Sequence, residues 1–208
     1  MAVVITVAQR KGGTGKTTLA ANLAAALAAT KKVALLDTDP QGSLTRWHEL
    51  RLKHPNAAPI SFANPAGWRL SLELDRLKRD HDVIVIDSPP QIDTDARLAV
   101  RGATLVLIPV QPSPPDVWAA EGTLKLASDE RRKAAIVLNR VPSASRQKDT
   151  VIAGLTERNL PLLQATIGNR TAFVDAFAAG LGVTESAPRS SAAQEVRALM
   201  REIMESLK

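Results

Sequence analysis

Cysteine and tyrosine are both absent from the 208 residues. Without cysteine there is no disulfide, thiolate metal site, iron–sulfur cluster or cysteine nucleophile, and a chain that does without thiols suits a reducing compartment. Aromatic residues make up only 3% of the chain, which disfavours stacking on the bases of a single-stranded nucleic acid. The three histidines, His48, His54 and His81, share no metal-ligand spacing and read as surface or strand-flanking residues. No apolar run approaches the roughly 20 residues that span a bilayer. No basic leader with a small-residue cleavage site precedes the first apolar run. A cytoplasmic protein is the expectation.

The length suits one domain over residues 1–208, with enough chain to bury a core unaided. The formal charge of +6 and a pI near 10 favour an anionic partner, because a basic surface attracts phosphate polymers or acidic headgroups. Apolar runs recur at 3–7 (VVITV), 32–37, 59–63, 82–87, 103–110 and 134–139. Each is continuously apolar rather than alternating, as strands buried on both faces of a parallel sheet are. Helical patterns lie between them at 17–29, 43–53, 68–78, 116–128 and 150–158. The alternation predicts an α/β fold, a doubly wound, mostly parallel sheet flanked by helices. A last helix over 191–208 carries Val196, Leu199, Met200, Ile203, Met204 and Leu207 on one stripe. Its polar side mixes Arg197, Arg201 and Lys208 with Glu195, Glu202 and Glu205. That balance favours packing against the domain over binding a membrane.

The first apolar run leads into KGGTGKTT, residues 11–18. Glycines at 12, 13 and 15 let a backbone turn tightly and aim N–H groups inward, and a helix starting near Lys16 adds the positive end of its dipole. Lys16 can then bridge the terminal phosphates of a nucleotide and the Thr17 hydroxyl can ligate Mg²⁺. The general phosphate-loop pattern places a glycine five residues before Gly15, where this chain has Arg10, and Lys11 opens the loop instead.

Two more motifs follow strands. In DTDPQGS (37–43) the carboxylates sit at i and i+2, on the crest of a parallel sheet beside the loop. There Asp39 can orient or activate an attacking water and Asp37 can hold a metal-bound water. VIVIDSPP (83–90) ends in Asp87, placed to order water on Mg²⁺. In LNRV (138–141), Asn139 reads equally as a contact to a base edge or as a plain turn residue.

KGGTGKT (11–17) and DTDPQ (37–41) resemble the deviant Walker A ATPases, whose loop is Lys-Gly-Gly-x-Gly-Lys-Thr/Ser. The resemblance implies a P-loop NTPase fold, ATP with Mg²⁺, and slow hydrolysis stimulated by a partner protein. It assigns nucleotide binding to Lys11, Gly12, Gly13, Thr14, Gly15, Lys16, Thr17 and Thr18, with Asn139 at the base. It assigns metal binding to Thr17, Asp37 and Asp87, the aspartates through water, and catalysis to Lys11, Lys16 and Asp39. It also gives the first of the two lysines a purpose: Lys11 reaches the nucleotide held by a twin subunit in a homodimer. ATP carries about four negative charges, and two facing copies repel unless cations cross the interface. Ser88 stands where the family usually has threonine and keeps the hydroxyl.

Within that family, an iron–sulfur reductase needs cysteine and a tyrosine autokinase needs tyrosine. A MinD-like division-site regulator needs a basic amphipathic tail. PVQPSPPDVWAA (109–120) and residues 165–186 resemble small ParA-like partition ATPases of the ParF type. An N-terminal helix-turn-helix domain is not expected. This resemblance implies a nucleoid-associated ATPase that binds duplex DNA without sequence preference. It also implies a ParB-like or cargo-adaptor partner, and a plasmid or chromosome as cargo, with a MinD-like membrane-associated positioning ATPase, or a protein cargo such as chemoreceptor clusters, as the alternatives. The basic candidates for DNA are Arg131, Arg132, Lys133, Arg140, Arg146, Lys148, Arg158, Arg170, Arg189, Arg197 and Arg201.

Overall fold

The apolar runs become the strands of one parallel sheet. A computed structural model describes residues 2–90, 94–144 and 146–207. Lys208 and the side chain of Arg146, both named above, lie outside what it describes. The strands are β1 (Val3–Val7), β2 (Val33–Asp37), β3 (Ile60–Ala63), β4 (Val83–Asp87), β5 (Leu105–Val110), β6 (Lys133–Val141) and β7 (Leu162–Gly168). They lie in the order β3-β2-β4-β1-β5-β6-β7, and every pairing is parallel.

The helices are α1 (Lys16–Ala28), α2 (Ser43–Arg51), α3 (Leu70–Leu77), α4 (Thr94–Gly102), α5 (Pro114–Asp129), α6 (Arg146–Glu157), α7 (Thr171–Ala178), α8 (Val183–Ser186) and α9 (Ser191–Ser206). Alternate strand residues face opposite helical layers. Ile5, Val7, Leu35, Val85 and Leu107 pack with α1 and α9. Val4, Ala34, Leu36, Ile84 and Ile86 meet Leu70 and Leu74 of α3 and Ala99 of α4. Farther along the sheet, Val106, Ile108, Ile136 and Leu138 meet Ala120, Leu126 and Leu155. Each fully buried side chain of this size contributes about 1.5–3 kcal/mol, so the strands need both layers. The alanine-rich α1 lies close on the sheet, with Ala20, Ala21, Ala24 and Ala25 fully covered.

Two departures from the sequence expectation matter for the site. β7 and α7 were not foreseen, and both build the wall beyond β6. β7 is an edge strand with only Leu163 and Ile167 buried, so it lacks the continuous burial of the inner strands. Its open N–H groups are covered from α9: Glu202 accepts from Gln164 at 2.7 Å and from Ala165 at 2.8 Å, and Glu195 accepts from Gly168 at 3.0 Å. A protected edge resists pairing with other chains. Val196, Leu199 and Ile203 of α9 are buried against the domain, as the balanced charge of this helix predicts. No helix among the described residues is long and apolar enough to cross a membrane.

Candidate functional site

β1 ends at the centre of the sheet, between β4 and β5, and the glycine loop rises from its carboxyl end. Two amides from neighbouring strands' ends hold the loop: Asn139 Nδ2 donates to the Thr14 carbonyl at 2.7 Å and Gln111 Nε2 to the Gly13 carbonyl at 3.0 Å. Gly15 caps α1 at φ +90°, a left-handed conformation that L side chains avoid. A Cβ there would come within 2.6 Å of Asn139 Nδ2. The start of α1 has no side-chain cap and no acidic residue in its first turn. Its N–H groups are therefore left for an anion, helped by the helix dipole. Arg10, standing where other phosphate loops have glycine, lies across α5 at Gly122, where a Cβ would meet its Nη1 at 2.6 Å.

Lys16 opens α1 and is buried. Burial pushes its pKa below the ordinary lysine value, while the carboxylates of Asp87 and Asp39 pull it back up. Asp87 lies in register with Val7 on one side and Asp37 on the other. It is 1% exposed, and among the described residues neither carboxylate oxygen has a hydrogen-bond partner of ordinary geometry. Its pKa is raised to about 7, with burial as the main cause, opposed by the Thr17 hydroxyl and Lys16 and assisted by the nearby Asp37 and Asp39. A buried carboxylate without partners is costly unless a cation or its water shell satisfies it, and Thr17 beside it supplies the hydroxyl ligand. The donor set thus fits Mg²⁺. Among the described residues no group of three His, Cys, Asp or Glu could hold a metal alone, so the ion would complete its shell with phosphate oxygens and water.

The two aspartates of DTDPQ differ in their engagement. Asp37 accepts three bonds, from Thr45 N at 2.9 Å, Thr45 Oγ1 at 2.8 Å and Asp39 N at 3.1 Å. It thereby ties the first turn of α2 to the crest of the sheet. Asp39 accepts one, from Gln41 N at 3.0 Å, and lines the cavity over the loop. Ser88 donates its hydroxyl to the Val7 carbonyl at 2.9 Å, fastening the end of β4 to β1.

Lys11 is turned within its own subunit to α5. Its Nζ lies 2.5 Å from Asp116 Oδ2, and Ser113 Oγ donates to the same oxygen. Asp116 is buried, and its other oxygen has no hydrogen-bond partner among the described residues. The Lys11 side chain keeps 41% of its surface exposed. Asp116 was not singled out from the sequence, because an acid in the first turn of a helix, just after two prolines, is ordinary.

Two cavities adjoin over the loop. One of about 280 Å³ is polar and includes Gly13, Lys16, Thr17, Asp39 and Gln41. The other, of about 420 Å³, is mostly apolar and includes Leu19, Ile167, Gly168, Phe173 and Val174. Gly15, Thr18, Arg140 and Phe177 line both. Asn139 lines the apolar cavity while one of its amide N–H groups holds the loop, so it serves the loop directly. Phe173 and Phe177 had no motif to announce them.

A polar cavity on a phosphate loop, joined to an apolar one at the carboxyl edge of a parallel sheet, defines a P-loop nucleotide-binding ATPase. The chain belongs to the CobQ/CobB/MinD/ParA nucleotide binding domain family, which matches residues 5–183, and within the ParA/MinD superfamily it is a ParA-like positioning ATPase. It is 34% identical over 98% of its length to "Maintenance of carboxysome distribution protein A" of Gloeobacter kilaueensis, covering 93% of that protein. To the protein of the same description from Halothiobacillus neapolitanus it is 31% identical over 99% of its length, covering 98% of that protein. A putative plasmid partition protein from Borrelia burgdorferi, solved with AMPPNP, shares the fold at a TM-score of 0.82 and 19% identity, over 99% of this chain and 100% of that one.

Proposed function

We propose that this chain is an ATP-dependent switch that dimerises around two ATP molecules, coats duplex DNA without sequence preference, and positions a large cargo through a partner protein. The observation that carries the reading is the set of Lys16, Asp39 and Asp87 gathered at one crest, on whose glycine loop Lys11 also stands. Lys16 and the first N–H groups of α1 hold the β- and γ-phosphates. Thr17, and Asp87 through water, would hold Mg²⁺, which would supply neutralisation of phosphate charge. Asp39 orients the water whose oxygen bonds to the γ-phosphorus as the bond to the β,γ-bridging oxygen breaks, the proton leaving to the carboxylate or the phosphate product. Asp37 acts first as the anchor of α2, so its part in holding metal-bound water is secondary to that of Asp87.

Lys11 serves the other subunit. Its pairing with Asp116 in cis gives the unassembled chain a resting position, and the γ-phosphate of a facing ATP is the stronger acceptor. Dimerisation therefore depends on ATP, and hydrolysis removes the acceptor. For DNA, the structure divides the basic candidates. Arg158 pairs with Glu121 and Arg170 with Glu195, so their charge is largely spent. Arg131, Arg132 and Arg189 are exposed and make no ion pair among the described residues, which supports them as phosphate contacts.

The sequence favours a plasmid or chromosome as cargo. The near full-length relatives named for carboxysome distribution support a protein-built cargo as the second reading. Binding to arbitrary duplex DNA tests the switch: it should appear with ATP, vanish with ADP and weaken steeply with salt. ATP-dependent binding to anionic liposomes with no binding to DNA would replace this reading with a membrane-associated one. Co-purification with an adaptor that binds a DNA site, or instead with one that binds a protein assembly, distinguishes the two cargo readings.

A further inference from the structure

Arg140 breaks the alternation of its own strand. Ile136 and Leu138 of β6 point into the layer of α5 and α6, and regular pleating would send Arg140 the same way. Instead Val141 takes that place in the core. β6 keeps an unbroken register with β5 from Lys133 to Leu138, but against β7 the register slips between Leu138 and Val141. Arg140 sits in that irregularity at φ +52°. A bulge with one residue left-handed redirects a side chain, and such bulges gather beside functional sites. Asn and Gly adopt this backbone more readily than arginine does, so the sequence keeps a costly residue here.

The redirected side chain lies over the glycine loop. Its Nε is 3.6 Å from where a Cβ would stand on Gly15, and Arg140 lines both the polar and the apolar cavity. It is exposed, and no carboxylate pairs with it among the described residues. Lys16 and Asp39 mark the far end of the polar cavity, where terminal phosphates belong. The junction is where the sugar and the first phosphate of a nucleotide must pass if its base fills the apolar side.

We infer that Arg140 is a nucleotide-binding residue whose guanidinium takes the α-phosphate at the junction of the two cavities. A planar fork suits two phosphate oxygens. The role is independent of the γ-phosphate, so Arg140 holds ATP and ADP alike, and it withdraws this arginine from the DNA candidates.

The inference rests on the ATP-binding reading, and calorimetric titration separates the two. Wild-type protein that fails to bind MgATP contradicts that reading itself. If wild type binds, Arg140→Ala should lose about tenfold in affinity for ATP, ADP and AMP alike, and nothing for adenosine. Arg140→Gly relieves the left-handed strain, so it should melt at a higher temperature than wild type yet show the same loss. Arg140→Lys should recover part of it. Variants that bind ATP and ADP as wild type does, or that lose adenosine equally, would overturn the inference. So would an Arg140→Ala protein with normal nucleotide affinity and weakened DNA binding.

Discussion

The crest of the sheet has two halves that hold different parts of one ligand. On the side of β1, β2 and β4, charges and glycines converge: Lys16, Asp87 and Asp39 lie around a loop that only glycine can cap at Gly15. On the side of β6, β7 and α7, shape does the work, through Leu19, Ile167, Phe173 and Phe177 around an apolar cavity. The phosphate half contains groups at odds with their surroundings, a buried lysine and an unsatisfied carboxylate. The apolar half contains almost none. A triphosphate demands particular charges in particular places, whereas an apolar cavity accepts many combinations of side chains of suitable volume.

The largest effect expected lies in the phosphate half. Lys16→Ala should lower ATP affinity by about a hundredfold or more in calorimetry, since it removes charge-assisted bonds to two phosphates. The melting temperature of the nucleotide-free protein should hold or rise, because a lysine costly to bury is gone. A variant that unfolds would mean that Lys16 supports the fold and not the ligand.

Next comes the unsatisfied carboxylate. The folded-state pKa of Asp87 near 7 lies above its ordinary 3.8, so the folded chain binds more protons than the unfolded one between those values. Its contribution to stability is full below pH 4 and is lost as pH rises through 7. Asp87→Asn should leave the metal- and nucleotide-free protein unchanged near pH 4. At pH 8 it should stabilise that protein by on the order of 2 kcal/mol, read by thermal melting in chelator. Saturating MgATP should reverse the ranking at pH 8. Equal pH profiles for both proteins would remove the argument that this site awaits a cation.

Phe177→Ala probes the other half. Phe177 lines both cavities and stacks on Trp47 of α2 at 6.4 Å between centroids. Losing it should cost about 2 kcal/mol of stability, because the ring is only partly buried. Affinity should fall about tenfold for ATP and adenosine alike. A loss confined to the triphosphate would collapse the distinction between the halves.

Asp116→Asn should have the smallest effect. The ion pair is half-exposed at Lys11, so its opening is worth about 1 kcal/mol or less. The variant should form ATP-dependent dimers at about threefold lower protein concentration. Dimerisation that weakens instead would make Asp116 a support for Lys11 in the assembled state.

What could be read from the sequence follows the same division. Phosphate chemistry leaves fixed residue types at fixed spacing, so the sequence alone marks Lys16, Thr17, Asp39 and Asp87 as candidates, and the inner strands announce themselves by unbroken apolar runs. β7 does not, because this edge strand is half open to solvent, with Gln164 and Thr166 interrupting its apolar residues, and Pro161 precedes it. Four-residue α8 is too short for a helical period to register. Asp116 and Arg140 needed tertiary context: one meets Lys11 across 105 residues, and the other owes its place to a slipped register. Asp37 was read as a metal group, and only its three hydrogen bonds reveal an anchor for α2.

The central claim is that Lys11 completes the nucleotide site of a second copy. Light scattering in MgATP of Asp39→Ala, alone and combined with Lys11→Ala, tests it most directly. A hydrolysis-blocked chain of 22.2 kDa should appear at twice that mass, and the doubly substituted chain should bind ATP yet remain at the mass of one subunit. A dimer that persists without Lys11, or a single-subunit mass for Asp39→Ala itself, would contradict the account.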